Sequence, residues 1–395
     1  MSSSHPIYLD YQATTPCDPA VVEAMLPWLH ERFGNPASKM HQYGLEADAV
    51  IETSRETIAN WIGATSPQEI IFTSGATESN NIALIGAVAA ASQDRRHIVI
   101  SALEHEAVTD PARWLAEKGG CSLTVVPASP KGRIDPDAVA AALRDDTLIV
   151  SVMHANNVIG TVNDISAIGR ICKQREILFH TDAAQSVGKV PFNVDEMNVD
   201  LASFSSHKIY GPKGMGFLYV RRRPTRARID PIMHGGGQEK GLRPGTLPVP
   251  LIAGLGKAGE IAMRVMPEEA KRLLRLRSRL LDELSGRLDG VHVNGTLEPK
   301  ERLPGNLSLS FDGVTSEELL ISLRSKVAMS AGSACASGSS GPSRILIEIG
   351  VDPKAAAASI RLGLGRFTTE EEIDSAGRDI VETVSRLRKR RSRKG

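Results

Sequence analysis

The sequence is poor in cysteine, has no long apolar run and carries almost no net charge. Its four cysteines, Cys17, Cys121, Cys172 and Cys335, stand far apart. None shows the CxxC or Cys/His spacing of a zinc site, so neither a metal centre nor a disulfide framework is indicated. Nowhere do about 18 apolar residues follow one another, so no transmembrane helix is expected. The opening MSSSHPIYLDYQATT has no basic start and no apolar stretch ahead of the strand-like IYLDY, and does not read as a signal peptide. Against 47 Lys+Arg stand 46 Asp+Glu, so no global field favours wrapping a nucleic acid or coating a membrane. The expectation is a soluble cytoplasmic protein. Direct nucleic-acid contact is not expected, although the tail RLRKRRSRKG is a basic run that reads as a solvated terminus.

What remains is ordinary globular material: 395 residues, 41% hydrophobic and 24% charged, enough for two or three domain-sized units. From about residue 50 to 220, short β-rich runs (EIIFTSG, HIVISA, LTVVPA, TLIVSVMH, ILFHTDAA, DLASFSSH, GFLYVRR) alternate with longer amphipathic or Ala-rich ones. This βαβ rhythm predicts a mainly parallel sheet covered by helices, with ligands gathered outside the carboxyl ends of its strands. The Gly/Pro-rich HGGGQEKGLRPGTLPVP breaks the rhythm before a long helical region, roughly Leu251 to Leu288, and the remainder suits a smaller α+β unit. Residues 331–343, AGSACASGSSGPS, are so rich in Gly and Ser that a mobile loop is expected there.

Three strand exits carry chemistry. In FTSGATESNN an apolar strand ends in small residues and a helix begins, which suits an anion held on backbone N–H groups at a helix N-terminus. In ILFHTDAAQSVGK the strand delivers Asp182 and then Gln185, a carboxylate placed to pair with a protonated ring nitrogen. In DLASFSSHKIYGPKG, Ser205, His207 and Lys208 follow a strand, and Lys208 is placed for a Schiff base with an aldehyde. Each signal alone is also what a plain helix cap, a capping carboxylate or a solvated lysine gives. Together they describe one molecule, pyridoxal 5′-phosphate (PLP).

The motifs LDYQATTP, GNPAS, FTSGATESNN, EHEAV, HTDAAQSVGK, HKIYGPKG, HGGGQEKG, GSACAS and GRFTTEEE resemble those of cysteine desulfurases of the NifS/IscS class, from Ile7 to about Arg388. GSACAS is similar to the group with a long catalytic loop. The resemblance implies an α/β, fold-type I PLP-dependent transferase with a mainly parallel seven-stranded sheet covered by helices in a large domain (18–262). A smaller α+β domain (1–17 and 263–395) would carry the loop 331–343.

By the same resemblance Lys208 would hold the cofactor covalently, Asp182 its pyridine nitrogen and Gln185 its phenolic oxygen. His105 would stack on the ring and move protons, and Ala76, Thr77, Ser205 and His207 would bind the phosphate. Thr246 would reach the phosphate of a neighbouring subunit, implying a homodimer. Asn35, Asn157 and Arg361 would position the substrate, with Asn157 also at the cofactor and the planar fork of Arg361 on the carboxylate. Cys335 would take sulfur from L-cysteine as a persulfide, leaving L-alanine, and pass it to an acceptor protein for iron–sulfur cluster assembly or thiolation. Selenocysteine lysis, another fold-type I reaction such as aminotransfer, or a catalytically altered scaffold protein are the alternatives. Two departures from the family pattern are Val158, in NNVIG where the family has a glutamate, and Pro244, in RPGT where Ser or Ala is frequent. The chain also stops soon after SRLRKRR, where IscS-like members continue into a scaffold-docking segment.

Overall fold

The structure, a computed structural model, describes residues 5–222, 227–331 and 342–392. Cys335 and most of the Gly/Ser-rich loop around it lie outside the described residues.

Seven strands build the main sheet: β1 (Ile70–Thr73), β2 (His97–Ser101), β3 (Ser122–Val126), β4 (Thr147–Ser151), β5 (Leu178–Asp182), β6 (Leu201–Ser205) and β7 (Gly216–Val220). Their order is β1-β7-β6-β5-β4-β2-β3, and only β7 runs antiparallel to its neighbours. Most of these strands are buried on both faces, which is why they read in sequence as unbroken apolar runs. Successive side chains serve opposite cores. Ile70, Phe72, Val99, Val150 and Phe179 pack on one face, and Ile71, Ile98, Ile100 and Ile149 on the other.

Helices α1 (Gln42–Ile62), α2 (Ala76–Ala90) and α3 (Glu106–Lys118) flank the sheet. The long α4 (Val249–Arg287) leaves it. Ile252, Leu255 and Ile261 of α4 belong to the first core. Leu273, Leu276, Leu280 and Leu284 belong to a third core. That core is built on an antiparallel sheet, ordered β10-β11-β9-β8, of β8 (Val291–Val293), β9 (Asn306–Phe311), β10 (Ser330–Ala331) and β11 (Ser359–Gly363). It is closed by α5 (Glu370–Ser392). Glu370, Glu371 and Glu372 open α5 and Lys389, Arg390 and Arg391 end it, each sign at the pole of the helix dipole it favours. Leu9 packs in this third core and Val21 in the first, so the start of the chain crosses from one to the other. Among the described residues no helix is long and apolar enough to cross a membrane.

Candidate active site

The carboxyl ends of β1, β5 and β6 open onto a cleft of about 460 Å3. Ala76, Thr77, His105, Asn157, Asp182, Gln185, Ser205, His207 and Lys208 all line it. The strand-exit residues meet because parallel strands deliver their C-terminal ends to one edge of the sheet.

At one end of the cleft β1 turns into α2 through Ser74 and Gly75. Gly75 has φ of 152°, a conformation side chains rarely adopt, and a Cβ there would approach nothing closer than Ser205 Oγ at 3.9 Å. No side chain caps the first turn of α2. That leaves a space bounded by a helix N-terminus and the Ser205 hydroxyl, suited to an anion.

Asp182 forms part of the floor. Its Oδ1 accepts from the Ala184 N–H at 2.9 Å and its Oδ2 from Asn80 Nδ2 at 2.9 Å. Two residues earlier, His180 has its ring nitrogens at 2.8 Å from Ser151 Oγ and 3.0 Å from Ser203 Oγ. Burial pushes this imidazole down to about 4. It is therefore neutral at physiological pH.

Lys208 Nζ donates to the carbonyls of Gln12 at 2.6 Å and Ala13 at 2.7 Å. Gln185 Nε2 donates to the same Gln12 carbonyl at 2.9 Å. His207 Nδ1 lies 3.0 Å from Thr14 Oγ1, and burial with the cations of Lys208, Lys213 and Lys189 pushes it down to about 4. The QATT segment thus serves as the wall against which the Lys208 amine is held. His105 is the N-cap of α3, its Nδ1 accepting from the Ala107 N–H at 3.1 Å. That bond commits Nδ1 as an acceptor and leaves the Nε2 edge as the proton-carrying one.

Beneath His105 lies Glu104, a residue the motif reading passed over. It is 1% exposed. Its Oε1 accepts from Ser101 Oγ at 2.5 Å and the Met153 N–H at 2.6 Å. Burial, with Asp182 adding to it and those hydrogen bonds opposing, raises its carboxyl to about 8. Arg344 donates to the carbonyls of Ala102 and Glu104 at 2.5 and 2.6 Å, tying α-helical residues 344–348 to the turn that carries His105.

Arg361 sits on β11, 1% exposed, behind Asn157. Its Nη1 donates to the Asn157 carbonyl at 3.0 Å and its Nη2 to Asp10 Oδ1 at 2.8 Å. Ser330 Oγ donates to the other Asp10 oxygen at 2.7 Å. Arg361 Nε has no acceptor among the described residues. A buried guanidinium with an unfilled donor, bonded to the carbonyl of the cleft residue Asn157, suits a small carboxylate.

Arg361 lies behind the lining of this cleft, and two other expected site residues are away from it, Thr246 being the one expected to serve a neighbouring subunit. Asn35 and Thr246 line a separate cleft, with Arg55, Gln238 and Glu239. Asn35 Oδ1 accepts from the Ala37 N–H at 2.9 Å, a local turn bond. Of the two departures from the family pattern, Val158 is 5% exposed within the first core, and Pro244 is buried in the turn before exposed Thr246.

An anion space at a helix N-terminus, a buried carboxylate and a strand-exit lysine in one cleft define an enzyme of the PLP-dependent transferase class. The chain belongs to the class-V aminotransferases, a family of PLP enzymes, whose description "Aminotransferase class-V" matches residues 7–375. Within that family it belongs to the cysteine desulfurases of the NifS/IscS class. It is 48% identical to "Cysteine desulfurase IscS" of Rickettsia akari, over 97% of this chain and 92% of that protein. It is 49% identical to "Cysteine desulfurase" of Homo sapiens, over 97% of this chain and 82% of that protein. A solved "NIFS-LIKE PROTEIN" superposes with a TM-score of 0.89 at 37% identity, covering 96% of this chain and 99% of that one. DndA from Streptomyces lividans superposes with a TM-score of 0.76 at 40% identity, covering 89% and 97%.

The residues present fit PLP. The space at Gly75 would take a phosphate, Asp182 offers a carboxylate to a protonated ring nitrogen, Gln185 offers an amide N–H and Lys208 an amine.

Proposed function

We propose that this cleft binds PLP and converts L-cysteine to L-alanine, with the sulfur passing to Cys335 as a persulfide. The observation that carries this is the convergence of Lys208, Asp182, Gln185 and His105 on one cleft beside a helix N-terminus. When bound, PLP supplies a sink for the electron pair released at the substrate Cα. The first-turn N–H groups of α2 with Thr77, Ser205 and His207 would hold the phosphate. Asp182 would keep the ring nitrogen protonated, Gln185 would donate to the phenolic oxygen, and His105 would cover the ring face.

Lys208 would hold the cofactor covalently and, as a free amine, would act as the base. The Gln12 and Ala13 carbonyls are in place to orient that amine. It would accept the proton from the substrate Cα, and His105, with its Nε2 edge free of the cap bond, would help move protons. The free donor of Arg361, beside Asn157, would fix the cysteine carboxylate. The Cys335 thiolate attacks the substrate sulfur. An S–S bond forms as the Cβ–S bond breaks, and the electron pair of that bond goes to the carbon side, which takes a proton and leaves as alanine.

The exposed Thr246, away from the cleft of its own chain, supports a homodimer in which it reaches the partner's phosphate. The persulfide would go to an acceptor protein for iron–sulfur cluster assembly or thiolation, in the cytoplasm. The test is Cys335→Ala. It should keep the visible absorbance of the lysine-bound cofactor and lose alanine and sulfide formation from cysteine; retained turnover would overturn the assignment of the nucleophile.

A further inference from the structure

Behind Gln185, and outside the cleft lining, stands Lys189. It follows Gln185 by four residues through a run of turns, and its Nζ lies 3.4 Å from Gln185 Oε1. The other end of the same amide, Nε2, donates to the Gln12 carbonyl, and that carbonyl also receives Lys208 Nζ. Lys189, Gln185, Gln12 and Lys208 therefore form one chain of hydrogen bonds from a second lysine to the catalytic one.

We propose that Lys189 is a positioning residue of the desulfurase reaction, setting the orientation of the Gln185 amide and the proton affinity of Lys208, an inference that rests on the cofactor assignment above. Two physical effects follow from its place. A cation at Oε1 admits only the amide orientation with oxygen toward Lys189, so the N–H end faces the side where the phenolic oxygen would lie. The Gln12 carbonyl at Nε2 selects the same orientation, and Lys189 reinforces it from the oxygen end. Second, a positive charge one amide away from Lys208 disfavours a second positive charge on Lys208. The two carbonyls that hold Lys208 Nζ favour its ammonium form, and Lys189 counteracts them. A lysine that has to act as nucleophile and base needs its neutral form within reach at working pH.

The surroundings of Lys189 agree. Burial pushes its own ammonium down to about 7, with Lys208 and Arg361 lowering it further and Glu269 of α4 opposing. Among the described residues no carboxylate stands within ion-pair distance of it. Its charge is therefore not cancelled at close range, and its field reaches His207, whose lowered value it shares in causing. The same partial protonation makes the effect strongest on the acid side of neutrality.

Lys189→Met keeps the length of the side chain and removes the charge; Lys189→Arg keeps the charge. Each is compared with the parent in two measurements. In the PLP-loaded proteins, visible spectra titrated against pH give the midpoint of the lysine-bound cofactor. In the apoproteins, acetylation of Lys208 by acetic anhydride, mapped by mass spectrometry across pH, gives the midpoint of the amine itself. Lys189→Met should move the midpoint of the lysine-bound cofactor upward by about one pH unit, whereas Lys189→Arg, which stays charged above 7 where Lys189 itself has lost its proton, should lower the midpoint of the free amine by a similar amount. An unchanged cofactor midpoint in Lys189→Met, or equal shifts in both variants, would overturn the inference while the cofactor assignment stands. A parent protein that takes up no PLP, or whose visible band survives Lys208→Ala, overturns the cofactor assignment and this inference with it.

Discussion

Arg243 places its Nε 2.8 Å from Glu78 Oε1, and so joins the turn that precedes Thr246 to the first turn of α2. Glu78 also accepts from the Ser74 N–H at 2.5 Å. Burial raises this carboxyl, and the hydrogen bonds from Arg243 and Ser74 outweigh that, leaving it below the usual range. The pair is mostly buried, with 20% and 14% of the side chains exposed. A carboxylate beside an anion cradle is tolerable only because the guanidinium neutralises it.

Arg243→Gln should therefore weaken PLP binding about tenfold, since an unpaired carboxylate then faces the phosphate at close range. Adding Glu78→Gln should recover most of the loss. Fluorescence titration of the apoproteins with PLP decides this; equal affinities in the parent and Arg243→Gln would count against an anion cradle at Gly75.

Arg361→Lys keeps the charge and loses the fork. A lysine cannot serve Asp10, the Asn157 carbonyl and a substrate carboxylate together, as three nitrogens of the guanidinium can. The KM for L-cysteine should rise by about 10- to 100-fold with a much smaller fall in kcat, and the cofactor absorbance should not change. A fall in kcat at constant KM would remove Arg361 from substrate binding.

Glu104 makes stability depend on pH in a direction that can be worked out. Its folded value is raised to about 8 from an ordinary 4.5. Between those values the unfolded chain has lost the proton that the folded chain keeps, so stability falls as pH rises, by up to about 1.4 kcal/mol per pH unit. Below the ordinary value nothing is lost, and above about 8 the loss is complete. Glu104→Gln keeps an oxygen for Ser101 and Met153 and removes the titration. Its Tm should match the parent near pH 5 and exceed it near pH 9, on the order of several degrees. Parallel Tm–pH curves would show that Glu104 ionises freely in the fold.

The strands were legible as apolar runs because most of them are buried on both faces, and the exits of three of them carried recognisable chemistry. Asp182, Ser205, His207 and Lys208 could be picked out because a strand end and its following turn are local features. Glu104 and Lys189 were passed over for the opposite reason. A glutamate before a histidine and a lysine after Ser-Val-Gly look like solvated residues until packing buries them. Asn35 and Thr246 line a cleft other than that of the strand-exit residues, and the resemblance places Thr246 at a neighbouring subunit's phosphate, a relation no local pattern contains.

By itself the sequence determined the layered sheet, the edge of it where chemistry gathers, and the chemical types present there, because hydrophobic period and strand-end position are properties of neighbouring residues. Only the tertiary structure decided which of those groups touch. Lys208 meets a carbonyl 196 residues away at Gln12, and Arg361 meets a carboxylate 351 residues away at Asp10. Hydrogen bonds and charge shifts depend on separations of a few ångströms in space, and no local pattern contains those distances.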